Sequence, residues 1–116
     1  MLDTNLKHVE SHGAIEELLK NSPNVMICCG RMGPMCFPVY GIMEKLEQKH
    51  PHIQMRDIDF DIPAASFIKN LPECRFFAGL PFTVYFKNGK VAKATTSIQN
   101  EKQITRILSE IFRRND

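Results

Sequence analysis

Hydrophobic and polar positions recur with different periods along this chain, and each change of period marks an element. Leu6, Val9, Ala14, Ile15, Leu18 and Leu19 oppose Glu16 and Glu17. The second half of residues 5–20 therefore reads as an amphipathic helix, ended by Asn21-Ser22-Pro23. Val25 to Cys29 is a continuous apolar run of strand length, as expected for a central strand covered on both faces. Residues 30–34 form a loop, and Cys36 to Lys49 reads as a helix. Ile42, Met43 and Leu46 mark its inner side, and Glu44, Lys45, Glu47 and Lys49 its outer side. Pro38 falls in the first turn, where a missing N–H costs little, and His50-Pro51 ends the helix.

Ile53 to Phe60 alternates apolar and polar residues, the period of a strand. Pro63 opens a short helix through Ala64, Ala65, Phe67 and Ile68 that halts near Pro72. Phe82-Thr83-Val84-Tyr85-Phe86 is strand-like by its β-branched and aromatic content. Asn88-Gly89 supplies the positive φ angles of a tight hairpin turn, and Val91 to Thr96 returns as the partner strand. Ile98, Ile104, Ile107, Leu108 and Ile111 mark a last amphipathic helix. The order predicts an α/β chain, residues 1–116 as a single domain, with a hairpin late in its sheet.

Charge and composition narrow the function. A net charge of +2 with scattered Lys and Arg gives no basic stripe, so no nucleic-acid partner is expected. Arg113-Arg114 is read as favouring a last helical turn through the dipole. No apolar run spans a bilayer and the N-terminus has no secretory pattern, so the expected location is cytoplasmic, without membrane association. Four cysteines would allow two bridges, but the apolar content does not require them and cytosolic thiols are normally reduced. Adjacent cysteines on a strand point to opposite faces, so Cys28 and Cys29 do not easily share one metal; no metal and no cofactor are expected.

Gly33-Pro34 before Cys36, then Leu80-Pro81 and Phe86-Lys87-Asn88-Gly89-Lys90-Val91, give the chain a resemblance to the thioredoxins over nearly its whole length. The resemblance implies a thioredoxin fold, a central mixed β-sheet flanked by helices on both faces. It implies a short edge strand at Leu6 to Val9 and a cis-proline at Pro81. It also implies that the backbone beside Pro81 receives an extended protein or peptide partner, with or without a cysteine, by strand addition. The substrate-binding residues would be Met32, Gly33, Pro34, Met35, Leu80 and Pro81, on a monomer or weak homodimer.

The redox site departs from the family. Thioredoxins carry Trp-Cys-Gly-Pro-Cys where this chain has Met32-Gly33-Pro34-Met35-Cys36. Counting back from the helix puts Cys36 at the resolving position and Gly33 at the nucleophile. Aligning the Gly-Pro pairs puts Met32 and Met35 at both. The buried aspartate of the family falls on Ile27 and its lysine partner on Met55. Cys36 at a helix start is the candidate monothiol. Cys29, read as facing the same side as Ile27 and toward that helix, is its candidate partner, while Cys28 faces the core. Cys74 is read as a half-exposed thiol or a distant partner of Cys36. Phe76, Phe77 and Phe82 are expected to pack in the core beside Pro81, or to extend an apolar surface formed by Met32 and Met35. Two functions follow: monothiol exchange through Cys36, or a redox-inactive adaptor that keeps the peptide groove.

Overall fold

The computed structural model describes residues 2–112, and Arg113-Arg114 lies outside them. Five strands form one sheet: β1 (Lys7–His8), β2 (Asn24–Gly30), β3 (Gln54–Asp59), β4 (Phe82–Lys87) and β5 (Lys90–Thr96). Their order across the sheet is β1-β3-β2-β4-β5. The first three run parallel, and the β4–β5 hairpin adds to β2 antiparallel. The helices are α1 (His12–Asn21), α2 (Phe37–Lys49), α3 (Ser66–Lys69) and α4 (Glu101–Ile111). Short 3-10 turns occur at Pro63–Ala65 and Pro72–Cys74.

Local chemistry sets most boundaries. The Ser11 side chain accepts the Ala14 N–H and starts α1. Asn100 and Gln103 form a reciprocal capping box that starts α4, which leaves Ile98 in the preceding loop rather than on the helix. Asn88 and Gly89, with φ of 53° and 80°, turn the β4–β5 hairpin. By contrast α2 has no side-chain cap: Cys36 is its N-cap residue.

Burial divides into two cores on opposite faces of the sheet. Met26, Cys28, Met55 and Tyr85 meet Tyr40, Met43 and Leu46 of α2 and Ile104, Ile107 and Leu108 of α4. Val25, Ile27, Cys29, Ile58 and Val84 meet Ile15 of α1 and Ile68 of α3. Strand β2 feeds both, and every residue from Val25 to Gly30 is buried. This is the pattern of a strand covered on both faces.

One buried charge interrupts the alternation of β3. Asp57 is fully buried, its Oδ1 at 2.5 Å from His8 Nδ1 and its Oδ2 accepting the Thr4 hydroxyl at 2.5 Å. Burial pushes its carboxyl pKa up, against the opposing pull of Thr4 and His8. The same N-terminal segment donates from Asn5 N–H to Glu44 of α2 at 2.8 Å and from Asp3 N–H to the Met32 sulfur at 3.1 Å. It therefore ties β3, α2 and the loop after β2 together.

All four cysteines are free and buried. Burial pushes the Cys28 thiol well up, Cys29 to about 12 and Cys74 to about 11. Their folded pKa values therefore exceed the unfolded value of about 8.5. As pH rises the unfolded chain ionises these thiols first, so their stabilising contribution is intact below that value and is lost above it. Urea-unfolding free energies should fall from about pH 8.5 upward, by up to about 1.4 kcal/mol per pH unit for each thiol held neutral. The slope should be shallower in Cys29→Ala. A pH-independent free energy across this range would contradict the assignment.

Candidate functional site

The loop from β2 to α2 is closed from within. Cys36 and Phe37 N–H groups both donate to the Gly33 carbonyl, at 3.0 and 3.1 Å. The turn is tight enough to swing the Cys36 side chain inward, where it is 2% exposed. Its Sγ accepts the Arg31 N–H at 3.4 Å. The Tyr40 hydroxyl donates to the Arg31 carbonyl at 3.1 Å, and the Arg31 guanidinium forks onto Asp61 at 2.8–3.2 Å. A methyl group at Gly30 would lie 2.7 Å from Tyr40 Oη, 2.8 Å from Cys36 Sγ and 3.2 Å from Pro81 Cβ. These three groups close over the glycine, and only hydrogen fits there. Cys36 is a buried thiol beside Gly30.

Nothing replaces it at the surface. A Cβ at Gly33 would meet no heavy atom within 4 Å, so residue 33 borders open space. The expected Cys29–Cys36 relation is corrected: Cys29 belongs with Ile27 to the α1 and α3 core, whereas Cys36 shares the opposite core with Cys28. The alternation of β2 is regular; the reading failed on which face carries α2. Cys74 is also corrected. It is buried in the Cys29 core, so it is neither a half-exposed thiol nor on the same side of the sheet as Cys36. Ile27 and Met55 likewise lie on opposite faces, and the strand-register partner of Met55 is Met26, on the same face. Among the described residues, no three His, Cys, Asp or Glu side chains converge to hold a metal.

Beside the thiol, the Leu80–Pro81 peptide bond is cis. Ser97, at φ 70°, donates its N–H to the carbonyls of both Gly79 and Pro81 at 3.1 Å, and Thr96 Oγ1 donates to Gly79 O at 2.5 Å. That arrangement fixes the two neighbours of Leu80. The Leu80 N–H and carbonyl themselves make no hydrogen bond among the described residues.

The large apolar side chains most open to solvent are Met32, Met35, Phe37, Phe76 and Ile98, at 39, 47, 49, 90 and 40% exposure. All five come from one end of the sheet. Met32, Met35 and Phe37 follow the end of β2, Phe76 precedes the start of β4, and Ile98 follows the end of β5. Cys29, Phe82 and Thr96 are aligned across these three strands there. Phe77 and Phe82 meet the core expectation, edge to face with centroids 5.5 Å apart, but Phe76 does not. Sequence reasoning missed Phe37 and Ile98 at this surface. The capping pattern Asn100-x-x-Gln103 was the available signal for Ile98, since it starts the helix too late to include it.

In comparisons with known proteins, no protein-family model and no curated sequence matches the chain. Solved structures do. A thioredoxin of Plasmodium falciparum superposes with TM-score 0.75 at 15% identity, over 90% of this chain and 98% of its own. Oxidised thioredoxin O2 of Arabidopsis thaliana gives 0.75 at 12% identity, over 97% and 98%. Fasciola hepatica thioredoxin gives 0.76 at 15%, over 91% and 99%. Identity this low carries the architecture and nothing finer. With its cis Leu80–Pro81 bond, its β1-β3-β2-β4-β5 sheet and helices on both faces, the chain has the thioredoxin fold.

Proposed function

We propose that this protein is a redox-inactive binding module that receives an extended, apolar protein segment along the Leu80-Pro81 edge. The observation that carries this reading is the Leu80 amide, unpaired among the described residues and beside an apolar surface, on a chain whose thiols are all buried. An extended partner lying beside Leu80 would supply the missing donor and acceptor, as in strand addition. Met32, Met35 and Pro34 would meet its alternate side chains. Thioether side chains suit this role because they adapt to varied apolar shapes. Clustered exposed apolar residues on an otherwise polar surface also favour a partner over open solvent.

Thiol exchange fits this geometry poorly. An attacking sulfur must be exposed and ionised. Cys36 is buried beside Gly30, Cys29 lies across the sheet, and the open position at Gly33 carries no sulfur. Monothiol exchange through Cys36 would require the loop to come away from Gly30 and Tyr40.

An insulin-reduction assay with dithiothreitol should run at the rate of the reductant alone, and Cys36→Ser should not change it. Catalysis at the rate of a dithiol enzyme would overturn the reading. Under native conditions an aromatic disulfide reagent should find no rapidly reacting thiol. Gly33→Cys should add one, because its side chain enters open space.

Binding is tested with a displayed library of randomised nonapeptides, from which extended apolar sequences should be recovered. Met35→Asp should weaken the tightest of these by about tenfold or more, roughly 1.4 kcal/mol. Its unfolding free energy should stay within about 0.5 kcal/mol of the parent, since Met35 is a surface position. Equal affinity in this variant, measured by calorimetry, would exclude the loop from the binding surface.

A further inference from the structure

Among the described residues, the sulfur atoms fall into two populations. Cys28, Cys29, Cys36 and Cys74 are buried, as are Met26, Met43 and Met55. Met32 and Met35, which flank Gly33-Pro34, are 39 and 47% exposed. A thiol reacts with peroxide as its thiolate, so burial that keeps Cys28, Cys29 and Cys74 protonated also keeps them inert. Cys36 is 2% exposed, its sulfur set against Gly30. A thioether has no proton to lose, and its reactivity follows access. The usual ranking of cysteine over methionine is therefore reversed by the packing.

We propose that, among the described residues, Met35 and Met32 are the sites of oxidation, and that their sulfoxides switch off the apolar binding surface. The switching role rests on the peptide-binding reading above; the site selectivity does not. The oxidant is a peroxide. The thioether sulfur gives an electron pair to one peroxide oxygen and the O–O bond breaks. A sulfur–oxygen bond forms, and the other oxygen leaves as water with both hydrogens of the peroxide. Sulfur is oxidised by two electrons and peroxide is reduced by two.

The structure also ranks the pair. The Met32 sulfur accepts the Asp3 N–H at 3.1 Å, which engages one of its lone pairs. Met35 is more exposed, and no hydrogen bond to its sulfur occurs among the described residues. Met35 reacts first.

The consequence follows from polarity. A sulfoxide is a strong acceptor, and pressing it against an apolar partner without a donor carries a desolvation cost. On the Met32-Met35 loop that cost falls at the point where the partner's side chains would dock. Methionine sulfoxide reductases reverse the change, one enzyme for each epimer.

The experiment treats the intact, reduced protein with dilute hydrogen peroxide and follows it by peptide mass spectrometry. Oxygen should appear first on Met35, then on Met32, with all four cysteines and the buried methionines unmodified. Affinity for a fluorescent nonapeptide selected from the library should fall about tenfold. Treatment with both sulfoxide reductases should restore it, and peroxide should leave the affinity of Met32→Leu/Met35→Leu at that variant's own untreated value. Cysteine oxidation ahead of Met35 would overturn the site assignment. Clean oxidation with unchanged affinity would overturn the switch while leaving the binding reading intact. Failure of the unoxidised protein to bind any library peptide would overturn that reading, and the switch with it.

Discussion

The close packing of Tyr40, Cys36 and Pro81 over Gly30 sets the geometry of everything around the loop. It joins the end of the central strand, the first turn of α2 and the edge before β4 at one point. A side chain at residue 30 would separate them. With hydrogen there, the Cys36 sulfur becomes part of the core, and the turn that precedes it points Met32 and Met35 outward. Thiol burial and thioether exposure are thus two results of one packing arrangement. The loop loses a nucleophile and gains an apolar surface together.

Much of this was legible in the residues themselves. The unbroken apolar run of β2, the Asn88-Gly89 turn and the amphipathic spacing of α4 are local signals, and the elements appear where those signals put them. The order of elements then leaves few ways to assemble one sheet with helices on both faces. What was not legible depends on non-local facts. Strict alternation separates Cys28 from Cys29 but does not say which face receives α2, and the wrong choice put Cys29 beside Cys36. Nor does a single sequence tell that Asp57 in β3 is buried, because its partners Thr4 and His8 lie far away in the chain. Adjacent Phe76 and Phe77 look alike on paper; one packs on Phe82 and the other faces water.

The comparison with solved thioredoxins is informative about what folds alike and silent about chemistry. At 12–15% identity the sheet order and the helices are common to chains that share few side chains. Met26 and Met55 are paired in register and buried in one core, so the side chains in this part of the sheet are held by apolar packing alone. Function is a property of the site rather than of this shared scaffold.

The N-terminal segment adds a mechanical dimension. Asp3 holds the Met32 sulfur, Asn5 holds Glu44, and Thr4 and His8 hold Asp57. Release of that segment would remove the Thr4 and His8 partners of Asp57 and the donor on the Met32 sulfur in one event, so the edge strand and the loop after β2 share a single fastening.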